Sequence, residues 1–188
     1  MHNQLATELM HHGIIGQKWG KKNGPPYPLK RTVKGSVKDT NDIYKSLSTK
    51  EKHLVADTKT KTVKEFIKPK EVKYLMKQIL VKYGDVPVSA LDVWNQGNGE
   101  GAISIMTRPG YRGKGLAGMS VREANKWFEN DPEIRRLSWG VRSNNTASRK
   151  LAEKYGFEMV PGSTEKWDDW VVYMKNKDMP VSKMSVYN

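Results

Sequence analysis

The chain has 188 residues, enough for one domain of ordinary size plus an extension and too few for two full cores. Its formal charge of +13 at pH 7 creates a surface field that attracts anions such as nucleic acid, phosphorylated ligands or acidic proteins. There is no cysteine, which excludes disulfide frameworks, thiolate metal sites and any mechanism that parks a reacting group on a thiol.

About +9 of the excess charge lies before residue 76, so the basic element is the N-terminal part and the rest carries a mild positive balance. No apolar run approaches the roughly 20 residues needed to span a bilayer, and Met1 to Met10 lack the basic-then-apolar layout of a signal peptide. The expectation is a soluble, cytoplasmic protein without a membrane partner.

Residues 1–38 combine His11-His12-Gly13, a turn-rich stretch from Gly20 to Pro28 and several lysines. That mixture is too polar and too broken to build a core, and it reads as a basic, flexible extension to a domain over 39–188. Its apolar cluster, Ile14, Ile15 and Trp19, suits docking on a partner or local packing. Adjacent imidazoles at 11 and 12, with only His2 and His53 besides, make a poor ligand set, so no metal is expected.

From Asp39 to Ile67 the apolar residues Ile43, Leu47, Leu54, Val55, Val63, Phe66 and Ile67 recur at spacings that predict two amphipathic helices, the first capped within Thr40 to Asp42. Gln78 to Lys82, Val86 to Trp94 and Ala102 to Thr107 then read as three strands of an antiparallel meander, turned at Gly84-Asp85 and at Asn95 to Gly99. Ala117, Val121, Ala124 and Phe128 place an apolar stripe on a helix that Asp131-Pro132 ends. Leu137, Trp139 and Val141 alternate as a strand. Ala147, Leu151, Ala152 and Tyr155 mark a last helix stopped by Gly156, and strands follow at Phe157 to Val160 and Trp170 to Met174.

The informative segment runs from Ile103 to Gly118, where a strand passes through a glycine-rich turn straight into a helix. Such a turn presents backbone N–H groups at the positive end of the helix dipole, which suits a phosphate or diphosphate. Arg112 and Lys114 add charge there, and glycine at 113 and 115 lets the backbone approach an anion. A P-loop is excluded because Gly113-Lys114 is followed by Gly115 rather than Ser or Thr. Gly113, Gly115 and Gly118 satisfy G-x-G-x-x-G with Glu133 downstream, but a dinucleotide fold wants the glycines directly after a first parallel strand, and here a meander precedes them.

A third reading rests on two motifs. Arg112-Gly113-Lys114-Gly115-Leu116-Ala117, with Pro109 and Tyr111 just upstream, resembles the R/Q-x-x-G-x-G/A diphosphate motif of the GNAT (Gcn5-related N-acetyltransferase) superfamily. Asn145 to Phe157, an Asn opening a helix that closes in Lys154-Tyr155-Gly156-Phe157, resembles its second motif. The resemblance covers roughly residues 39–175. It implies a mixed α/β (α+β) fold, with a mostly antiparallel sheet, flanking helices and two splayed parallel central strands. It also implies acetyl-CoA as cosubstrate and direct transfer of its acetyl group to an amine, either a small molecule or a protein amino group.

By that resemblance Ile105, Met106 and Thr107 offer backbone groups to the pantetheine arm, Arg112, Gly113, Lys114, Gly115, Leu116 and Ala117 hold the diphosphate, and Asn145 contacts the pantetheine. On residues alone, Asn145 is equally a helix N-cap. The family's tyrosine after the helix leucine is replaced by Ala152, and a carboxylate used by some relatives on the fifth strand by Gly140. Ser148 is the substitute for the leaving-group acid, since some ribosomal-protein N-terminal acetyltransferases of the superfamily use a serine three residues after this Asn. Its plain reading is an exposed helix serine. A base falls among Glu100, Asp92 and water, and no spacing selects one.

Residues 11–29 also resemble a short leader recurrent in proteins encoded by phages and prophages of Gram-positive bacteria. This suggests a phage-encoded enzyme whose leader associates with a virion, another protein or nucleic acid. Against the enzyme stands a non-catalytic reading, a CoA-binding or virion-associated module that works through its basic extension.

Overall fold

The computed structural model describes residues 30–55, 64–163 and 169–184. Seven strands form one sheet: β1 (Lys30–Lys34), β2 (Leu75–Tyr83), β3 (Val86–Gly97), β4 (Glu100–Thr107), β5 (Arg136–Arg142), β6 (Glu158–Met159) and β7 (Trp170–Asn176). Their spatial order is β1-β2-β3-β4-β5-β7-β6. Every neighbouring pair is antiparallel except β4 with β5. Among the elements described, four α-helices accompany the sheet: α1 (Val37–Lys45), α2 (Thr49–Val55), α3 (Leu116–Asn130) and α4 (Thr146–Lys154). The mixed, mostly antiparallel architecture and its central parallel pair are those expected.

Strand alternation sorts the core onto the two faces of the sheet. Ile79, Leu91, Val93 and Ile103 point to the side where Val121, Ala124 and Phe128 of α3 and Ala152 of α4 pack, together with Leu137, Trp139, Phe157 and Tyr173. Leu80, Ala90 and Met106 point the other way, onto Ile43, Tyr44 and Leu47. Each fully buried aliphatic side chain contributes about 1.5–3 kcal/mol, so the helices are held by their stripes rather than by propensity.

Three local features differ from the sequence expectations. Lys30–Lys34, placed by sequence in the extension, pairs with Ile79–Tyr83 as an edge strand. Its KRTVK sequence has one apolar residue, and an edge strand needs only one buried side. Helix α1 begins at Val37, where Ser36 accepts a hydrogen bond from the Asp39 amide at 3.1 Å, so the cap lies ahead of Thr40. Thr40 and Asn41 are instead buried.

The second helix is described over Thr49–Val55, and Phe66-Ile67 is irregular rather than helical. Asn41 explains this, because its side-chain amide donates to the Ile67 carbonyl and accepts from the Ile67 amide, both at 2.9 Å. That pair replaces the backbone bonds a helix would have supplied. Val63 and the leader segment, with His11, His12, Ile14, Ile15 and Trp19, lie outside the described residues. Among the described residues no helix is long and apolar enough to cross a membrane.

Candidate functional site

The site is created where two parallel strands stop pairing. Glu100, Gly101 and Ala102 of β4 face Arg136, Leu137 and Ser138 of β5, and the ladder ends there. Beyond that point β4 continues on β3 as far as Thr107, and β5 continues on β7 as far as Arg142. Among the described residues the facing edges of 103–107 and 139–142 therefore have no strand partner, and a cleft of about 570 Å³ opens along the β4 edge. Ile105, Met106 and Thr107 line it from β4, and Asn145, Ala147, Ser148 and Leu151 line it from α4. An unpaired strand edge inside a cleft is a row of hydrogen-bonding groups suited to an amide-bearing chain.

The mouth of the cleft is the glycine-rich turn. Pro109–Tyr111 form a 3₁₀ turn, closed by the Arg112 amide on the Pro109 carbonyl at 3.3 Å. Gly113 and Gly115 then adopt φ of +74°, and Gly115 caps α3. A Cβ at either position would meet open space, so it is the left-handed backbone that requires glycine. The amides of residues 113–118 have no hydrogen-bond acceptor among the described residues, and the first turn of α3 carries no acidic side chain. Free N–H groups at the positive end of a helix dipole form an anion site.

The side chains of the turn divide. The Lys114 ammonium lies over the rings of Tyr83 and Tyr111, 5.7 and 5.1 Å from their centroids, and does not line the cleft. Arg112 does line it; its Nε donates to the Thr107 carbonyl at 3.3 Å, and its guanidinium pairs with Glu51 across the mouth. The Ser48 hydroxyl and amide, each donating to Glu51 at 2.7 Å, and then Arg112 hold the Glu51 carboxyl down at about 2. The Arg112 amide is spent on Pro109, so of the residues expected to bind through their amides the free run begins at Gly113.

On the opposite wall Asn145 caps α4, its Oδ1 accepting from the Ser148 amide at 3.2 Å. The cap uses one end of the side chain and leaves the Nδ2 donors for the cleft. The Ser148 hydroxyl has no hydrogen-bond partner among the described residues. Sequence reading missed Leu47, just ahead of α2, and Glu51, Leu54 and Val55, which α2 contributes as a wall. The Ser48-x-x-Glu51 pattern is a readable capping box, but only the fold brings it onto Arg112.

The candidate bases sit elsewhere. Glu100 pairs with Arg136 at 3.2 Å, at the closed end of the strands. Asp92 is fully buried on the α1 side; its Oδ1 accepts from Gln78 at 2.9 Å and from Thr40 at 3.3 Å, and its Oδ2 has no partner among the described residues. Burial pushes its carboxyl up to about 6, against the pull of those two donors. Neither residue lines the cleft. Ala152 is buried in the core, and the ring of Trp170 lies 3.5 Å from where a Cβ on Gly140 would stand.

A family model described as "Acetyltransferase (GNAT) domain" matches residues 38–158, more than half of the chain. Among solved structures, an acetyltransferase of GNAT family from Streptococcus pneumoniae superimposes with a TM-score of 0.57 at 18% identity, over 79% of this chain and 99% of that one. The GNAT domain of S. lividans PAT gives 0.62 at 13%, over 78% and 89%. A protein titled a putative phosphinothricin N-acetyltransferase gives 0.60 at 16%, over 80% and 100%. These likenesses show the fold. No curated protein matches the chain.

Proposed function

We propose, from the premise that the chain belongs to the GNAT acetyltransferase family, that it carries an acetyl group from acetyl-CoA directly to an amine. The observation that carries this reading is the run of amides at residues 113–118 that have no acceptor among the described residues, heading a helix beside the gap between β4 and β5.

Each element has a part in the reaction. The amides of residues 113–118 and the Arg112 guanidinium receive the diphosphate, and the edge of β4 at Ile105 to Thr107 receives the amides of the pantetheine arm. This threads the thioester between the strands toward Asn145 and Ser148. The amine nitrogen bonds to the thioester carbon, the carbon–sulfur bond breaks, the amine loses one proton and the leaving sulfur gains one. Asn145 Nδ2 donates to the arm beside the thioester, and the Ser148 hydroxyl supplies the sulfur's proton. With Asp92 and Glu100 outside the lining, the amine proton leaves to water.

A second reading, CoA binding without turnover, is favoured by one observation: neither position 152 nor position 140 carries an acid or a base. In that version residues 1–38 act through their charge, as a virion-associated or salt-sensitive nucleic-acid contact. Isothermal titration with CoA and acetyl-CoA, followed by thiol release against pooled amines, tests both. Binding with Kd of about 1–100 μM and thiol release are expected. No heat at millimolar CoA overturns both readings, and binding without thiol release selects the second.

A further inference from the structure

Among the described residues that line the cleft, Arg112 carries the one positive charge and Glu51 the one negative charge, and the two are paired with each other. The side-chain cation at the mouth of an anion site is therefore already engaged by an anion of the chain itself. A carboxylate offers a guanidinium the same kind of oxygen that a phosphate does, so Glu51 and a phosphate-bearing ligand are rivals for one donor fork.

Both partners are built to let go. The Glu51 Oε1 faces the Arg112 guanidinium, while its Oε2 accepts from the Ser48 amide and from the Ser48 hydroxyl, each at 2.7 Å. Loss of Arg112 leaves the carboxylate with both Ser48 donors. The Arg112 Nε in turn donates to the Thr107 carbonyl at 3.3 Å, which keeps the guanidinium at the mouth without Glu51. Neither charge is orphaned when the pair opens, so the penalty of an unpartnered buried ion does not apply.

The tie itself is weak. The two side chains are 46% and 21% exposed, so water and salt screen the pair. No residue of α2 is buried, so the helix that carries Glu51 is only lightly held by packing. Because the Ser48 donors and then Arg112 keep the Glu51 carboxyl at about 2, protonation does not open the pair in ordinary buffers. A competing anion does.

We propose that Glu51 is an internal competitor for the diphosphate: its carboxylate occupies Arg112 in the ligand-free chain, and the diphosphate takes Arg112 from it on binding. This rests on the acetyl-transfer reading and adds a control on how tightly the cosubstrate is held. A diphosphate prevails because it engages the amides of residues 113–118 together with Arg112, whereas Glu51 offers Arg112 a single oxygen. A small free carboxylate has only Arg112 to gain and meets a rival tethered beside it at high effective concentration, so it is kept out.

The test is titration calorimetry of CoA into the full chain and into Glu51→Gln, Arg112→Gln and the double variant. Glutamine keeps an oxygen for the Ser48 amide, so the capping box survives while the competing charge is gone. Glu51→Gln is expected to bind CoA about 3–10-fold more tightly. Arg112→Gln is expected to bind it about tenfold more weakly, and adding Glu51→Gln to that variant should bring little or no gain, since nothing is left to compete for. Unchanged or weaker binding by Glu51→Gln overturns the proposal, because a carboxylate that merely positions Arg112 would be missed. An equal gain with and without Arg112 overturns it too, since that is the signature of general charge repulsion.

If CoA binds none of these proteins, the acetyl-transfer reading fails, and inorganic pyrophosphate followed by NMR at the amides of residues 113–118 still decides the competition. Tighter pyrophosphate binding by Glu51→Gln, only while Arg112 is present, supports it. No shifts, or an affinity indifferent to Glu51, overturns it.

Discussion

The two ends of the cleft are built on different principles. At the turn heading α3, the groups on offer are main-chain amides within one short stretch, residues 113–118. At the neighbouring cavity, which shares Leu54, the described lining comes from α2, the end of β5 with the two residues after it, and the residue before β7, spread from Lys50 to Asp169. A main-chain site tolerates changes of side chain but not of backbone conformation. A side-chain site can change its ligand by single substitutions, which suits a constant donor paired with a variable acceptor.

That contrast is broken most severely at Gly115. Valine there would have to hold φ of +74°, which costs of order 1–3 kcal/mol for a non-glycine residue and turns the amides away. Affinity for CoA measured by titration calorimetry is expected to fall more than about 100-fold, with the neighbouring cavity unaffected. Ser148→Ala removes a donor without touching the backbone. Its kcat is expected to drop about 10–100-fold at unchanged KM for acetyl-CoA, and a retained kcat rejects the proton-donor role.

Gly118 tests the wall rather than the amides. An alanine Cβ would stand 2.3 Å from the Tyr155 hydroxyl oxygen and 3.0 Å from the ring carbon bearing it. Chemical denaturation of Gly118→Ala should show a loss of about 2 kcal/mol, part of which Tyr155→Phe restores by removing the nearer atom. Tyr155 thus sets the distance between α3 and α4, with its hydroxyl accepting from Arg122 at 3.0 Å.

The smallest expected effect is at Asp92, away from both ends. Burial lifts the folded carboxyl to about 6, against an ordinary value of 3.8, so the native state gains from protonating it. That stability is complete below about pH 4 and lost as pH rises through about 6. Asp92→Asn has no charge to bury, so it should overtake the parent protein across this window, by about 1 kcal/mol at pH 8. Parallel stability curves for the two proteins from pH 4 to 8 would contradict this.

Much of the framework was written locally. Alternation at Leu137, Trp139 and Val141, the stripe at Ala117, Val121, Ala124 and Phe128, and the glycines at 113 and 115 report period and backbone conformation, which neighbouring residues decide. The glycine-rich turn was legible for the same reason, since a contiguous turn carries its own geometry. What sequence could not show were the features that need a distant partner. Thr40 and Asn41 looked like cap residues and became buried donors because Asp92 and Ile67 lie against them. Lys114 looked like a phosphate contact, and Tyr83 and Tyr111 drew it away. Glu51 reached Arg112, and Lys50 came to line one cavity with Arg142, only after α2 was laid along the open strands, because hydrogen bonds and charges act over a few ångströms in space regardless of their separation along the chain.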